Sequence, residues 1–246
     1  MLTKRPSRRS CLKRDPHLLP GGTCREEYPM CKKLIKRVLN QILQWIIRSD
    51  AFDAVEKNPE LKHYFDKTEG MINFDEAVLL YNLAKQAQGE CIIEVGSYRG
   101  RSTTMLSRGS MDGNKLPVYA IEPHESYTGV LGGKFGSADR GAFYQCMLDT
   151  SSYHMVRLVN LSSEIVAPNW NKKVGLLWID GDHSYDGVKR DFECWFPHLA
   201  KNAVIAFDDS QNPDLGPRQL IEELVKSGRF VEIDHARNIT VLAQKI

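Results

Sequence analysis

The sequence predicts an α/β fold, a doubly wound and mostly parallel seven-stranded sheet closed by an antiparallel hairpin. Three observations predict it. From residue 91 onward, short apolar runs (Cys91–Val95, Val118–Ile121, Met155–Leu158, Val174–Ile179 and Ala203–Phe207) alternate with helical segments. That is the pattern of βαβ units whose parallel sheet is covered on both faces. The last two runs, Arg229–Ile233 and Ile239–Ala243, are separated only by Asp234-His235-Ala236-Arg237-Asn238. So short a connection cannot hold a crossover helix, and an antiparallel hairpin follows. Right-handed crossovers then place a ligand at the carboxyl ends of the strands.

Taken in order, residues 1–30 are rich in Lys, Arg, Pro and Gly, with Pro20-Gly21-Gly22 as a breaker, and read as a basic flexible tail. Residues 31–88 read as N-terminal helices. The first covers about 31–48, with Leu34, Ile35, Val38, Leu39, Ile42, Leu43 and Ile46 at helical spacing. The width of that stripe favours packing on the domain or on a second subunit, as a homo-oligomer, over lying on a membrane surface. The second runs from about Asp75 to Gln88, with Ala77, Val78, Tyr81 and Ala84 on one face. Residues 89–246 form the ligand-binding domain.

Charge is uneven. Up to Arg37 there are eleven Lys and Arg against three acidic residues, so the remainder is mildly acidic although the whole chain carries a formal charge of +2. An acidic main domain argues against a nucleic-acid surface. No apolar run is long enough to span a bilayer, and the basic start lacks the apolar stretch of a secretory signal, so no stable membrane insertion is expected. Cys91, Cys146 and Cys194 fall inside predicted elements, as buried thiols do, while Cys11, Cys24 and Cys31 lack paired C-x-x-C spacing. A reducing, cytoplasmic setting is the expectation.

The chemistry lies at the strand ends. Glu94-Val95-Gly96-Ser97-Tyr98-Arg99-Gly100-Arg101-Ser102-Thr103 ends a strand, turns through Gly96 and Gly100, and starts a helix. The spacing is G-x-x-x-G, unlike the pyrophosphate-cradling G-x-G-x-x-G. Glu94 would be a poor neighbour for a phosphate but could meet the ammonium or ribose of a cationic cofactor. Glu122, at the end of the next strand, is placed to accept both hydroxyls of a ribose. In Asn160-Leu161-Ser162-Ser163-Glu164, the hydroxyls of Ser162 and Ser163 suit an adenine edge or a helix cap.

Two further strands end in Asp180-Gly181-Asp182-His183-Ser184-Tyr185 and Asp208-Asp209. Asp180, Asp208 and Asp209 converge if those strands are neighbours. Carboxylates gathered at one sheet edge repel unless a cation or proton intervenes, and an all-oxygen set suits Mg²⁺.

The stretch from about Glu69 to Asp209 resembles class I S-adenosylmethionine-dependent methyltransferases, specifically the methyltransferase 24 family, and is similar to the metal-dependent catechol- and sugar-type O-methyltransferases. The matching pieces are Glu69-Gly70, Leu80-Tyr81-Asn82-Leu83-Ala84, Ile93 to Ser102, Ile121-Glu122-Pro123-His124, Phe135 to Arg140 and Ile179 to Tyr185. The resemblance implies a Rossmann-like fold and S-adenosyl-L-methionine as cofactor. Glu94, Gly96 and Ser97 would contact its methionine end, Glu122 its ribose, and Ser163 with Ser162 its adenine, with Asp180 bordering it. Asp180, Asp208 and Asp209 match the Mg²⁺ positions. One departure is that catechol-type relatives usually end the last motif in Asp-Asn, whereas this chain has Asp-Asp.

The reaction expected is methylation of a hydroxylated small molecule, with a metal-bound hydroxyl of lowered pKa and His183, Asp180 or His124 near the leaving proton. The glycine-rich stretch Thr128–Gly141 reads as a lid over the acceptor or an ordinary long loop. Two other classes compete. A nicotinamide-dependent oxidoreductase is disfavoured by the loop spacing and Glu94, and a non-catalytic cofactor-binding protein would bind without turnover.

Overall fold

The computed structural model describes residues 60–245; the tail over 1–30 and the helix over 31–48 lie outside the described residues. Two helices come first, α1 (Glu60–Lys67) and α2 (Phe74–Gln86). Then follow β1 (Cys91–Val95), α3 (Arg101–Asp112), β2 (Val118–Ile121), the small strands β3 (Tyr127–Thr128) and β4 (Lys134–Phe135), and α4 (Ser137–Asp149). The rest is β5 (Val156–Val159), α5 (Ser163–Val166), β6 (Val174–Ile179), α6 (Tyr185–Trp195), β7 (Leu199–Phe207), α7 (Gly216–Lys226), β8 (Phe230–Ala236) and β9 (Ile239–Gln244).

Seven strands form one sheet in the order β5-β2-β1-β6-β7-β9-β8, parallel except where β9 pairs antiparallel with β7 and β8. The predicted class and the terminal hairpin are both present. The chain winds outward from β1 through β2 to β5, then returns to lay β6 against the other side of β1. The crevice between the carboxyl ends of β1 and β6 is therefore the topological switch point, where open α/β sheets bind ligands.

The pleat divides the core in two. Ile92, Leu176, Trp178, Ala206 and Val241 face the layer of α1 to α4, with Leu61, Leu80, Met105 and Phe143. Ile93, Leu177, Ile179, Ile205 and Leu242 face α6 and α7, with Phe192, Trp195 and Leu220. Every residue of β1 and β6 is buried, which is why these strands read as unbroken apolar runs. Burial also pushes the Cys91 thiol up to about 12, so it is an inert core group.

Polar detail fixes where helices begin. Asn73 caps α2 by accepting from Asp75 N and Glu76 N, and Glu76 Oε2 reciprocates with Asn73 N at 2.8 Å. The other oxygen of Glu76 accepts from Asn238 N in the β8–β9 turn. Arg101, at the start of α3, donates to Thr68 O, Gly70 O and Ile72 O and lies 4.4 Å over the Phe65 ring. One planar fork thus satisfies the carbonyls that lead from α1 into α2. A lysine cannot make all of these bonds from one ammonium. Arg101→Lys is expected to lose on the order of 1–3 kcal/mol, read by urea unfolding.

The structure differs from the sequence reading at several boundaries. β7 starts four residues earlier than predicted. β8 continues through Asp234, His235 and Ala236, because these keep their register with Val241, Thr240 and Ile239 and leave Arg237-Asn238 as the turn. Thr128–Gly141 is not one long loop. It includes Thr128 of β3, its antiparallel partner β4 and the first turn of α4, whose start is fixed by Asp139 accepting from Gly136 N. Among the described residues no helix is long and apolar enough to cross a membrane.

Candidate active site

The glycine loop leaves β1 at Gly96, with φ +83°, and enters α3 at Gly100, with φ +96°. A Cβ on Gly96 would stand 2.0 Å from Asp180 O. This close approach joins the loop to the end of β6, where Asp180 N also donates to Val95 O at 2.8 Å. Gly100 caps α3 without a side chain, so the first-turn donors of that helix have no side-chain cap.

Glu122, at the end of β2, holds the loop from the other side. Its Oε2 accepts from Ser97 N at 3.2 Å and Tyr98 N at 3.3 Å, and its Oε1 from His124 N at 3.0 Å. His124 is 4% exposed. Its Nε2 lies 3.0 Å from the Tyr98 carbonyl, so Nε2 carries the proton, and Nδ1 accepts from Asn160 Nδ2 at 3.1 Å. Asn160 Nδ2 also reaches Glu122 O. The ends of β1, β2 and β5 are laced together by these contacts. Both ring nitrogens of His124 are spent, which removes it as a candidate base.

Ser97 is 2% exposed and its Oγ is buried without a hydrogen-bond partner. Such a hydroxyl costs free energy unless a ligand completes it. Glu94 lies elsewhere than the loop's open side. It shares the pleat direction of Ile92, toward α3, has no exposure, and accepts from Ser102 Oγ and Thr103 Oγ1 at 2.5 Å each. Burial pushes its carboxyl up to about 8, against the pull of those hydroxyls. Glu94 therefore anchors the first turn of α3 from beneath rather than facing the crevice.

Ser163 is similarly enclosed. It is 2% exposed, accepts from Trp195 Nε1 at 3.1 Å and bonds to Asp191, whose carboxyl burial pushes up to about 6. Ser162 precedes α5, half-buried, without a side-chain cap bond. Of the two serines, Ser162 has the freer hydroxyl.

β6 and β7 are neighbours in register, Ile179 opposite Phe207, so Asp180 and Asp208 emerge side by side. Ligand atoms of Asp180, His183 and Asp208 all lie within 4.8 Å of one another. Asp209, at φ +48°, places Oδ2 3.0 Å from His183 Nδ1. Burial raises both Asp180 and Asp208, and for Asp208 the charges of Asp180 and Asp209 add to it. Burial alone would lower His183, but its bonds to Asp180 and Asp209 outweigh that and carry it up to about 10. The imidazolium is thus the one positive group among three carboxylates. Asp182 points away from the group, accepting from Ser184 N and Tyr127 OH at 2.9 Å each.

Residues 93–210 match a family model, methyltransferase 24, described as a methyltransferase domain. That span runs from the glycine loop to Ser210, just past the Asp208-Asp209 pair. The matched stretch is similar to a methyltransferase domain of that family.

Solved structures agree on its fold. The domain is similar to SAH-bound methyltransferase PaMTH1 of Podospora anserina, with 16% identity, TM-score 0.58, and coverage of 81% of this chain and 96% of that one. An O-methyltransferase from Bacillus cereus in complex with SAH gives 15% identity and TM-score 0.57, covering 80% and 97%. The O-methyltransferase TomG of Streptomyces achromogenes, in complex with SAM, gives 17% and 0.55, covering 78% and 89%.

Within the matched span the structure brings Gly96, Ser97, Glu122 and Asp180 to the carboxyl ends of β1, β2 and β6, starts α3 at Gly100, and sets Asp208, Asp209 and His183 beside Asp180. It puts Glu94 and Ser163 behind that surface. Sequence reasoning missed Asn160, Asp191 and Tyr127 as partners. Asn160 lay inside a noted motif and could have been found as a strand-end amide. Tyr127 is 55 residues from Asp182, a separation that no local pattern reveals.

Proposed function

We propose that the domain is an S-adenosylmethionine-dependent O-methyltransferase acting on a hydroxylated small molecule, with a divalent cation held at Asp180 and Asp208. The observation that carries this reading is the set of polar groups brought together at the carboxyl ends of β1, β2, β6 and β7. One side offers an unpartnered Ser97 hydroxyl, the uncapped start of α3 and the Glu122 carboxylate. The other offers carboxylates too close to be charged together without a cation or protons. Relatives of the same fold, solved with SAM or SAH, support the cofactor.

The cofactor, when bound, supplies an electrophilic methyl on a sulfonium. In this reading Ser97 and the first turn of α3 receive its carboxylate end, where the helix dipole favours negative charge. Glu122 accepts from the ribose hydroxyls, exchanging part of its hold on Ser97 N and Tyr98 N. Ser162 borders the adenine. The cation, when bound, lowers the pKa of an acceptor hydroxyl and orients it, the role for which the Mg²⁺ expectation stands. Proton removal falls to Asp180. In the cation-free cluster His183 keeps its own proton to about 10 and burial makes Asp180 more basic than an ordinary carboxylate; a bound cation would displace the imidazole proton.

Calorimetric titration of S-adenosylhomocysteine, with and without divalent cation, tests the reading. Binding is expected in both conditions, and no binding in either would sink it. Asp180→Asn is expected to lower methyl transfer, measured across dihydroxyphenyl and hexose acceptors, by about 100-fold or more, with cofactor affinity within about threefold of the parent.

A further inference from the structure

The third protein ligand of the cation site can be read from the geometry. We infer that His183 Nε2, not Asp209, completes the set with Asp180 and Asp208, that Asp209 is the positioning residue that holds the His183 ring, and that the site therefore selects a first-row transition metal over Mg²⁺. The inference rests on the divalent-cation reading above and narrows it.

Three observations carry it. First, the donor atoms that come together belong to Asp180, His183 and Asp208. Second, the imidazole is already oriented. Its Nδ1 faces Asp209 Oδ2 at 3.0 Å, leaving Nε2 directed at Asp180 Oδ1 3.4 Å away. A carboxylate that accepts from one ring nitrogen so that the other faces a metal is a recurrent arrangement around bound cations. Neighbouring ligands about 2.1 Å from a shared ion stand roughly 3.0–3.4 Å apart, so the Asp180–His183 spacing already suits one. Third, His183 Nε2 is itself buried and has no hydrogen-bond partner. Its contact with Asp180 Oδ1 is a 3.4 Å ion pair without hydrogen-bond geometry, and a divalent cation that displaces the ring proton would join this nitrogen to Asp180 and Asp208.

Asp209 differs from both of its neighbours in the cluster. The left-handed backbone at φ +48° turns its side chain away from the Asp180–Asp208 pair and toward the imidazole. Such a conformation is uncommon for a residue other than glycine, and the carboxylate–imidazole bond is what it secures. The change of ligand alters the metal. Three oxygens suit Mg²⁺, while an imidazole in the set shifts preference toward Mn²⁺ and the later divalent ions.

The test uses the full chain with S-adenosylhomocysteine present. Mn²⁺ and Mg²⁺ are titrated separately by calorimetry, and bound Mn²⁺ is probed by electron spin-echo spectroscopy, which detects a directly coordinated nitrogen. Mn²⁺ is expected to bind at least tenfold more tightly than Mg²⁺, with modulation from one ¹⁴N that changes to the ¹⁵N pattern when histidine is isotopically labelled. His183→Ala should abolish that modulation and weaken Mn²⁺ by tenfold or more. Asp209→Ala should retain the nitrogen signal and weaken Mn²⁺ by about 10–100-fold. Bound Mn²⁺ without nitrogen modulation in the parent protein overturns the inference and leaves the oxygen-only site standing, a result that needs no variant. Failure of both cations to bind overturns the metal reading itself, while cofactor binding in the same cell remains an independent check on the methyltransferase reading.

Discussion

Gly96→Ala is expected to abolish S-adenosylhomocysteine binding and to destabilise the domain by several kcal/mol. Two costs combine. Gly96 sits at φ +83°, where a Cβ meets its own backbone at a cost of about 1–2 kcal/mol. In addition that Cβ would stand 2.0 Å from Asp180 O and 2.5 Å from Asp180 C, backbone atoms that cannot rotate aside. The end of β6 must move, and with it Asp180, so both walls of the crevice shift at once. Gly132→Ala is the matched control. It has nearly the same backbone angle, φ +82°, but nothing within 4 Å of the added carbon. The control should lose only the backbone cost and bind normally. Urea unfolding and calorimetry on the pair isolate the contact, and wild-type affinity in Gly96→Ala would refute this account of the loop.

The second large effect is a fall in the stability of the cation-free domain as pH rises from 5 to about 9. Glu94, raised to about 8, and Asp191, raised to about 6, keep protons in the folded state that the unfolded chain sheds near pH 4. Asp180 and Asp208 are raised in the same direction. His183, raised to about 10, holds its proton where the unfolded residue loses it near 6.5. In every case the folded state binds more protons, so the stabilisation is complete below the unfolded pKa and fades as pH climbs through the folded one. Each such proton contributes a slope of up to about 1.4 kcal/mol per pH unit. Asp182 and Glu223 are shifted downward and act below this window. Thermal unfolding in a chelator at pH 5, 6.5 and 8 should show the midpoint dropping by several degrees. A saturating divalent cation should recover much of the loss at pH 8 by replacing the protons of the Asp180 cluster. Glu94→Gln should flatten the residual slope without a cation. A midpoint that rises between pH 5 and 8 would contradict the burial of these groups.

The sheet was legible because its central strands are apolar on both faces and separated by segments long enough to be helices. The switch point followed from that order, and with it the placement of Gly96, Glu122, Asp180 and Asp208. Glu94 shows where the reading stopped. Its adjacency in sequence associates it with the loop, yet a residue within a strand projects onto a sheet face. Its parity with Ile92 assigns it to the α3 side, and the hydroxyls of Ser102 and Thr103 were already in view as partners. Ser163 was hidden by a different cause, since its partners Trp195 and Asp191 come from a helix about thirty residues on. Asp209 followed the converging-carboxylate logic, and only the backbone angle at that residue shows its side chain turned to His183. The β3–β4 pair escaped notice because two-residue strands among glycines leave no periodic signal.

The position of β9 bears on how the protein is made. It is inserted between β7 and β8, and it pairs with Val204 to Phe207 of the strand that delivers Asp208, while Ser210 bonds to Asn238 and Thr240. As the chain leaves the ribosome, β7 must wait with one unpaired edge until residues 239–244 have also emerged. Through that interval the edge of β7 is open to pairing with another chain. A change that keeps residues 239–244 from docking would therefore show first as aggregation.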